Sequence, residues 1–384
     1  MKIAFLTSEY PHPKANFAAG IGTSIMNLST ELVNQGHQVS VILYGQNNDE
    51  TFLDNGIEFY KIKNIKFKGL SRYLTQKKIQ GLINNLVSNG KVEIIEAADW
   101  TGITSNIKLN CPIVVKLHGT DTYFCHLDNR PVKFINKLRE KRALKRADAR
   151  LSVSYFVADV TKKIFSLSNN FEVIPNGINL EKFSSDNSGL KKEQNYILYF
   201  GTLIRKKGLL ELPSIFNEVY KVNKEIKLIL VGRDASDILT KNTSTWEIMK
   251  SQFDKEALKN VEYIGSVSYQ EINEYIQNAM VCVFPSFAEA LPVSWIEAMA
   301  LRKAIVASNI GWAKEVIDDD LNGFLVNPKD HKMFAIKILE LLNDSKKRED
   351  FGERARKKVE RTFSIDIVAR QNVDYYRKVL ELKK

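Results

Sequence analysis

No stretch of the chain approaches the roughly 18 consecutive apolar residues that a membrane-crossing helix needs, so the sequence does not describe a spanning protein. Cysteine is scarce. Cys111, Cys125 and Cys282 are odd in number and widely spaced, which excludes a disulfide framework and points to a reducing, cytoplasmic compartment. Cys111, His118, Cys125 and His126 lack the paired spacing of a zinc site, so no metal centre is expected there. No small-residue cleavage site follows Met1-Lys2-Ile3-Ala4-Phe5-Leu6-Thr7-Ser8, which reads as a strand and not as a signal peptide. Acidic residues are missing altogether from Lys61–Lys78.

At 384 residues the chain is too long for one core and suits two domains, and 44% hydrophobic with 26% charged residues excludes wholesale disorder. Short apolar runs alternate with helix-like segments from the start, the pattern of parallel α/β sheets. Strands are expected at 3–6, 37–43, 92–95, 113–117, 149–153 and 171–174, and Gly20-Ile21-Gly22 opens the first helix. Pro175-Asn176-Gly177-Ile178-Asn179 reads as a turn, and Ser184 to Gly189 as a linker. The alternation restarts at 196–201, with further strands at 226–231, 261–264, 281–284, 304–307 and 323–326. Two Rossmann-like domains are expected, 1–187 and 193–362, with a C-terminal helix in 363–384 that packs back on the first. Ligands of such sheets bind at the carboxyl ends of the strands.

One stretch concentrates the chemistry. Met280 to Phe284 is a buried strand stopped by Pro285, and Pro292 stands where a helix begins. Val293, Ile296, Ala300 and Leu301 recur at helical spacing, so one side of this helix packs on the sheet. The N–H groups of its first turn suit a phosphate or diphosphate. Glu289 lies just before it, where an acidic residue is ordinarily a cap. Glu297 sits among Trp295, Ile296, Ala298, Met299 and Ala300, where a carboxylate must be paired or must await hydroxyl donors, such as the two of a ribose.

Glu-x7-Glu followed by Ala-Met-Ala resembles the donor-site signature of the retaining GT-B glycosyltransferases, family 4. Also similar to that family are Gly20-Ile21-Gly22, Gly36-His37-x-Val39, His118-Gly119, Ile174-Pro175-Asn176-Gly177-Ile178, Lys207-Gly208, Val231-Gly232, Gly265, Glu315-Val316-Ile317 and Asn322-Gly323-Phe324-Leu325-Val326, in matching order. Arg302 and Ala304 depart from a usual Gly and Pro, Asn179 from an Asp, and Thr202 from an Arg; the last moves one phosphate-binding cation elsewhere, with Arg205 the substitute. The resemblance implies a GT-B fold of two facing Rossmann-like domains with parallel sheets. The first would serve the acceptor and the second the nucleotide sugar.

It further implies a glycosyltransferase of hexosyl type that retains configuration, uses a nucleotide diphosphate sugar, most simply UDP-linked, and acts on a glycan or lipid-linked acceptor in polysaccharide biosynthesis. Glu289 would then bind the sugar and stabilise positive charge at its anomeric carbon. His118 would contact the donor sugar, Glu297 the ribose, and Gly22 would line the acceptor side and approach the diphosphate. Ala290 and Leu291 open the donor helix; Gly265 and Val267 flank the loop that faces the base. No second carboxylate offers itself as a covalent nucleophile, so same-face attack by the acceptor hydroxyl is expected. Asp99, Trp100 and Asp121, at or just after strand ends, are acceptor-side candidates.

Asp318-Asp319-Asp320, the one run that looks like a metal-binding Asp-x-Asp, precedes Asn322-Gly323 and reads as a turn. Neutralisation of the diphosphate therefore falls to Arg205, Lys207 and the helix N-terminus, with no metal or resident cofactor. A bland reading stands beside this one: Arg205-Lys206-Lys207 as a solvated basic turn, and His118 as a core histidine. Competing functions are a GT-B sugar-nucleotide epimerase or hydrolase, and a catalytically silent scaffold that binds glycan.

The net charge of +11 is unevenly placed. Lys61–Lys78 holds seven basic residues and Lys133–Arg150 eight against Glu140 and Asp148, together more positive charge than the whole chain nets. Phe67, Leu70, Tyr73 and Leu74, and Phe134, Ile135 and Leu138, interleave with them as in an interfacial helix. Solvated surface and peripheral contact with an anionic membrane, at the inner face of the cytoplasmic membrane, both fit. Nucleic acid does not, since no recognised binding module accompanies the charge.

Overall fold

The computed structural model describes residues 1–16, 18–168, 170–183 and 193–383. The expected linker, 184–189, and the expected boundary at 187 lie outside the described residues. By contacts the chain forms two units, Met1–Asn179 with the C-terminal segment from Phe363, and Leu180–Thr362. Each is an α/β unit with its own sheet.

The first sheet contains β1 (Lys2–Thr7), β2 (Gln38–Gln46), β3 (Glu50–Asp54), β4 (Ile57–Lys63), β5 (Ile94–Ala98), β6 (Ile113–Leu117), β7 (Ala149–Ser152) and β8 (Glu172–Val173), in the order β3-β4-β2-β1-β5-β6-β7-β8. Alternation along β1 divides the core. Ile3 and Phe5 face a cluster with Ile25, Leu28 and Leu32 of α1 (Gly20–Asn34), whereas Ala4 and Leu6 face one with Ile79, Ile83 and Leu86 of α2 (Ser71–Ser88). The first cluster also takes in Ile365, Val368, Val373, Tyr376 and Val379 of the helix Ile365–Glu381. The Pro175–Ile178 turn seats that helix: Ile178 N–H donates to Phe363 O, Ile365 N–H donates to Ile178 O, and a Cβ on Gly177 would meet Ile365.

The first sheet departs at one edge from the parallel arrangement that the sequence predicts. β3 pairs antiparallel with β4 through a tight turn at Asn55-Gly56, both at positive φ. Asn-Gly is the residue pair that a two-residue hairpin turn favours, so this turn has a local signal in the sequence. One consequence concerns Lys61. It lies inside β4, buried and 3.0 Å from Glu50, so it leaves the exposed basic surface to which it had been assigned. Arg150 leaves it too, buried in β7 with its guanidinium donating to the Leu144, Lys145 and Ala147 carbonyls.

The second sheet is parallel, β11-β10-β9-β12-β13-β14, built from β9 (Tyr196–Phe200), β10 (Lys227–Val231), β11 (Val261–Gly265), β12 (Val281–Phe284), β13 (Ala304–Ser308) and β14 (Phe324–Val326). Its central strands are buried on both faces, which requires helices on each side. Among the described residues no helix is long and apolar enough to cross a membrane.

Candidate active site

Three neighbouring strands of the second sheet end in glycine, and the next is stopped by proline: Gly265 closes β11, Gly232 follows β10, Gly201 follows β9 and Pro285 follows β12. Gly232 and Gly201 have φ of +143° and +132°, and a Cβ on Gly232 would lie 2.0 Å from Gly201 O. Only glycine permits that approach. Beyond them the turn Arg205–Lys207 is clamped to the loop after β12. Phe287 and Ala288 N–H donate to Lys206 O at 2.8 and 3.1 Å, and a Cβ on Gly208 would sit 1.8 Å from Pro285 O.

This clamp brings Lys207 Nζ to 3.1 Å from Glu289 Oε1, which also accepts from Ser286 Oγ at 3.2 Å. Glu289 is buried, as are Ala290 and Leu291. Burial holds the nearby Tyr199 hydroxyl well above its usual pKa, the Glu289 charge adding to it, and Tyr199 donates to Thr202 O. The helix Val293–Ala300 starts directly after; its N-cap, Pro292, supplies no side-chain acceptor to the first turn. Glu297 is half-buried on the fifth residue of that helix, beside fully buried Trp295 and Ile296. Ring stacking of Trp295 on Phe284 pins the helix to the sheet.

Arg205, expected to stand in for the phosphate-binding cation that Thr202 displaces, is already paired in this structure. It forks onto Asp237, two bonds of 2.7 Å, and Asp237 is buried and also accepts from Thr240 N–H and Oγ1. The guanidinium holds the Asp237 carboxyl well below the usual range. Asp237 was not foreseen, because nothing in a sequence pairs an arginine with an acid on the loop after a different strand. Gly265, at φ +84°, has no atom within 4 Å of where its Cβ would be, so that side is open, and Val267 lies half-buried two residues on.

In the first unit, β5 runs to Ala98, further than the expected 92–95, which puts Asp99 directly at its end. Asp99 Oδ1 accepts the His118 N–H at 3.1 Å, while Oδ2 is buried with no hydrogen-bond partner among the described residues. Burial pushes Asp99 up to about 8, and pushes His118 down to about 3 with the help of Lys116, so the imidazole is neutral at ordinary pH. Trp100 is partly exposed at the head of the short helix Trp100–Asn106. Asp121 begins α3 (Asp121–Leu127), its carboxylate taken by Asn136 and by the Cys125 thiol.

Gly22 lies at the start of α1. Its N–H donates at 2.7 Å to the buried carboxylate of Glu9, and a Cβ would crowd the Glu9–Tyr10 backbone at 3.0 Å. Glu9, right after β1, thus occupies the helix-terminal anion position, another residue that sequence reasoning missed. The Asp318–Asp320 carboxylates are engaged in the turn and its surroundings: Asp318 with Asn322 and Lys358, Asp319 with Leu325 N–H, and Asp320 with Lys347.

Residues 181–358 match the family model described as Glycosyl transferases group 1, and residues 18–182 match Glycosyltransferase Family 4. The uncharacterized glycosyltransferase MJ1607 of Methanocaldococcus jannaschii is 26% identical, with 100% of this chain and 99% of that protein covered. The capsular polysaccharide biosynthesis glycosyltransferase CapM of Staphylococcus aureus is 31% identical over half of each chain. Among solved structures, Alr3699/HepE of Anabaena in complex with UDP and glucose superposes with a TM-score of 0.75 at 18% identity, covering 98% of this chain and 99% of that one, which shows the fold.

Proposed function

The chain belongs to the group 1 glycosyltransferases of GT-B fold, and on that footing we propose a retaining, metal-independent enzyme that moves a sugar from a UDP-sugar to a glycan or lipid-linked acceptor in polysaccharide biosynthesis. One observation carries the reading most directly: the Lys207–Glu289 pair, clamped beside the start of the helix Val293–Ala300. A departing diphosphate needs fixed positive charge, and a sugar gaining oxocarbenium character needs a fixed carboxylate; here the two side chains are pre-positioned together. Lys207, the first-turn N–H groups and Arg205 take the diphosphate, and Glu297 takes the ribose. Glu289 binds the sugar hydroxyls.

The bond from the anomeric carbon to the diphosphate oxygen breaks as the acceptor hydroxyl forms its bond on the same face. The hydroxyl proton leaves with the diphosphate. His118, neutral across ordinary pH, donates or accepts a hydrogen bond to the sugar without adding charge. Asp99, Trp100, Asp121 and the Gly22 turn serve the acceptor side. Engagement of Asp318–Asp320 in their own turn supports leaving the metal out. UDP in the HepE complex supports the donor class, and the part of CapM in capsular polysaccharide biosynthesis supports the pathway. The enzyme meets the inner face of the cytoplasmic membrane through its basic surface.

The deciding experiment measures free nucleotide released from a panel of nucleotide sugars, with lipid-linked and soluble glycan acceptors and with EDTA. Acceptor-dependent UDP release that survives EDTA is expected. Release without any acceptor marks a hydrolase, and no release from any donor marks a silent scaffold.

A further inference from the structure

The two basic stretches, far apart in sequence, converge on one short segment of the first unit. Arg72, in the first turn of α2, donates to Thr101 O. The Arg139–Glu140 backbone of α4 (Phe134–Arg146) packs so tightly on Gly102 that a Cβ there would lie 2.5 Å from the Arg139 carbonyl carbon. Thr101 and Gly102 both take left-handed backbone conformations, φ 52° and 63°, to admit this. On the two stretches that meet there, and at Trp100, large apolar side chains remain in water: Phe67, Leu70, Trp100, Phe134, Ile135 and Leu138, with Phe134 73% exposed. Lys66, Lys68, Lys133, Lys137 and Arg142 are exposed among them. Exposed apolar groups ringed by like charge mark an interaction surface, and this charge complements an anionic bilayer.

The opposite side of α4 carries Glu140, almost fully buried. Its carboxylate accepts from Asp121 N–H at 3.1 Å, Thr122 N–H at 3.2 Å and Thr122 Oγ1, the first residues of α3. These follow directly on His118-Gly119-Thr120. From the other side His118 is held by Asp99, which directly precedes Trp100 and the Thr101–Gly102 turn on which α4 rests.

We propose that the α2–α4 face docks on an anionic bilayer and that Glu140 couples the seating of α4 to the His118 turn, so that the acceptor side of the site responds to the membrane. This rests on the reading of a lipid-linked acceptor. Glu140 is a positioning residue, acting through the cap of α3.

The test uses the full chain with vesicles of phosphatidylcholine, with and without phosphatidylglycerol, and reads co-sedimentation together with amide hydrogen exchange over 118–123. The protein sediments with the anionic vesicles only, and high salt releases it. Phe134→Glu with Ile135→Glu lowers binding about tenfold or more. Exchange over 118–123 slows on binding in the wild type. Glu140→Gln binds the same vesicles but loses that slowing; should it misfold by circular dichroism, Thr122→Val, which removes only the hydroxyl bond, takes its place. Equal binding to neutral vesicles, or none at low salt, overturns the docking face. Binding with unchanged exchange in the wild type, or slowing retained in the variants, overturns the coupling. UDP release with a soluble acceptor, run alongside, reports separately on the transferase reading.

Discussion

Lys207 Nζ lies 3.1 Å from Glu289 Oε1, both side chains largely withdrawn from water. Without substrate each is the other's counter-ion. On the proposed reading, a nucleotide sugar brings a phosphate to the cation and sugar hydroxyls to the carboxylate, so neither charge is left buried alone. Removing one partner exposes the other to that cost, which makes the pair's effect on folding something to measure before its effect on rate.

Replacing Lys207 by Ala lowers turnover about a hundredfold, the usual loss of a charge-stabilising donor, once the variant is shown to be folded by calorimetry. Added EDTA leaves the wild type active. Turnover abolished by chelation and restored by magnesium would overturn the metal-independent reading.

The two glutamates fail differently. Glu297→Ala weakens binding of bare UDP by about 1.5–3 kcal/mol, the value of hydrogen bonds to a charged group. Glu289→Gln binds UDP nearly as the wild type does and loses turnover. Titration calorimetry with UDP separates them, and equal losses of affinity would refute the division of roles.

Arg205 and Asp237 form a bidentate pair with a partly exposed guanidinium and a buried carboxylate. A double-mutant cycle in denaturant with Arg205→Ala and Asp237→Ala yields a coupling of about 1–3 kcal/mol. Arg205→Ala also slows transfer, whereas Asp237→Asn mainly costs stability. If Arg205→Ala leaves transfer intact, Arg205 belongs to the loop alone and Lys207 serves the diphosphate without it.

Asp99 and His118 act on stability in opposite pH directions. Asp99 is raised to about 8 in the folded chain, so its contribution is full below the ordinary carboxylate range and is lost as pH climbs towards 8. His118 is depressed to about 3, so its contribution is present above pH 6.5 and is lost as pH falls towards 3. Melting curves therefore show Asp99→Asn gaining on the wild type between pH 4 and 8, and His118→Gln losing its disadvantage between pH 6.5 and 4. Parallel curves for wild type and variants would remove both assignments.

Much of the architecture follows from local pattern. Runs such as Ile3–Leu6, Ile113–Leu117 and Val281–Phe284 are short, apolar and punctuated by glycine or proline, and a chain so patterned has few ways to bury them except as central parallel strands. The helix Val293–Ala300 announces itself through Pro292 and its apolar spacing, and Glu289 and Glu297 are placed by counting residues along the chain. The Asn55-Gly56 hairpin is written just as locally, since both residues of its turn need positive φ. What the sequence leaves open is which distant charges meet. The partners Lys207–Glu289, Arg205–Asp237, Glu9–Gly22 and Glu140–Thr122 depend on strand order and on backbone approaches such as Gly208 against Pro285. Lys61 and Arg150 look like surface charge in the sequence and are buried in strands. Burial and pairing arise from three-dimensional closure of the sheet, and electrostatic energy depends on those distances and on exclusion of water, which no linear spacing encodes.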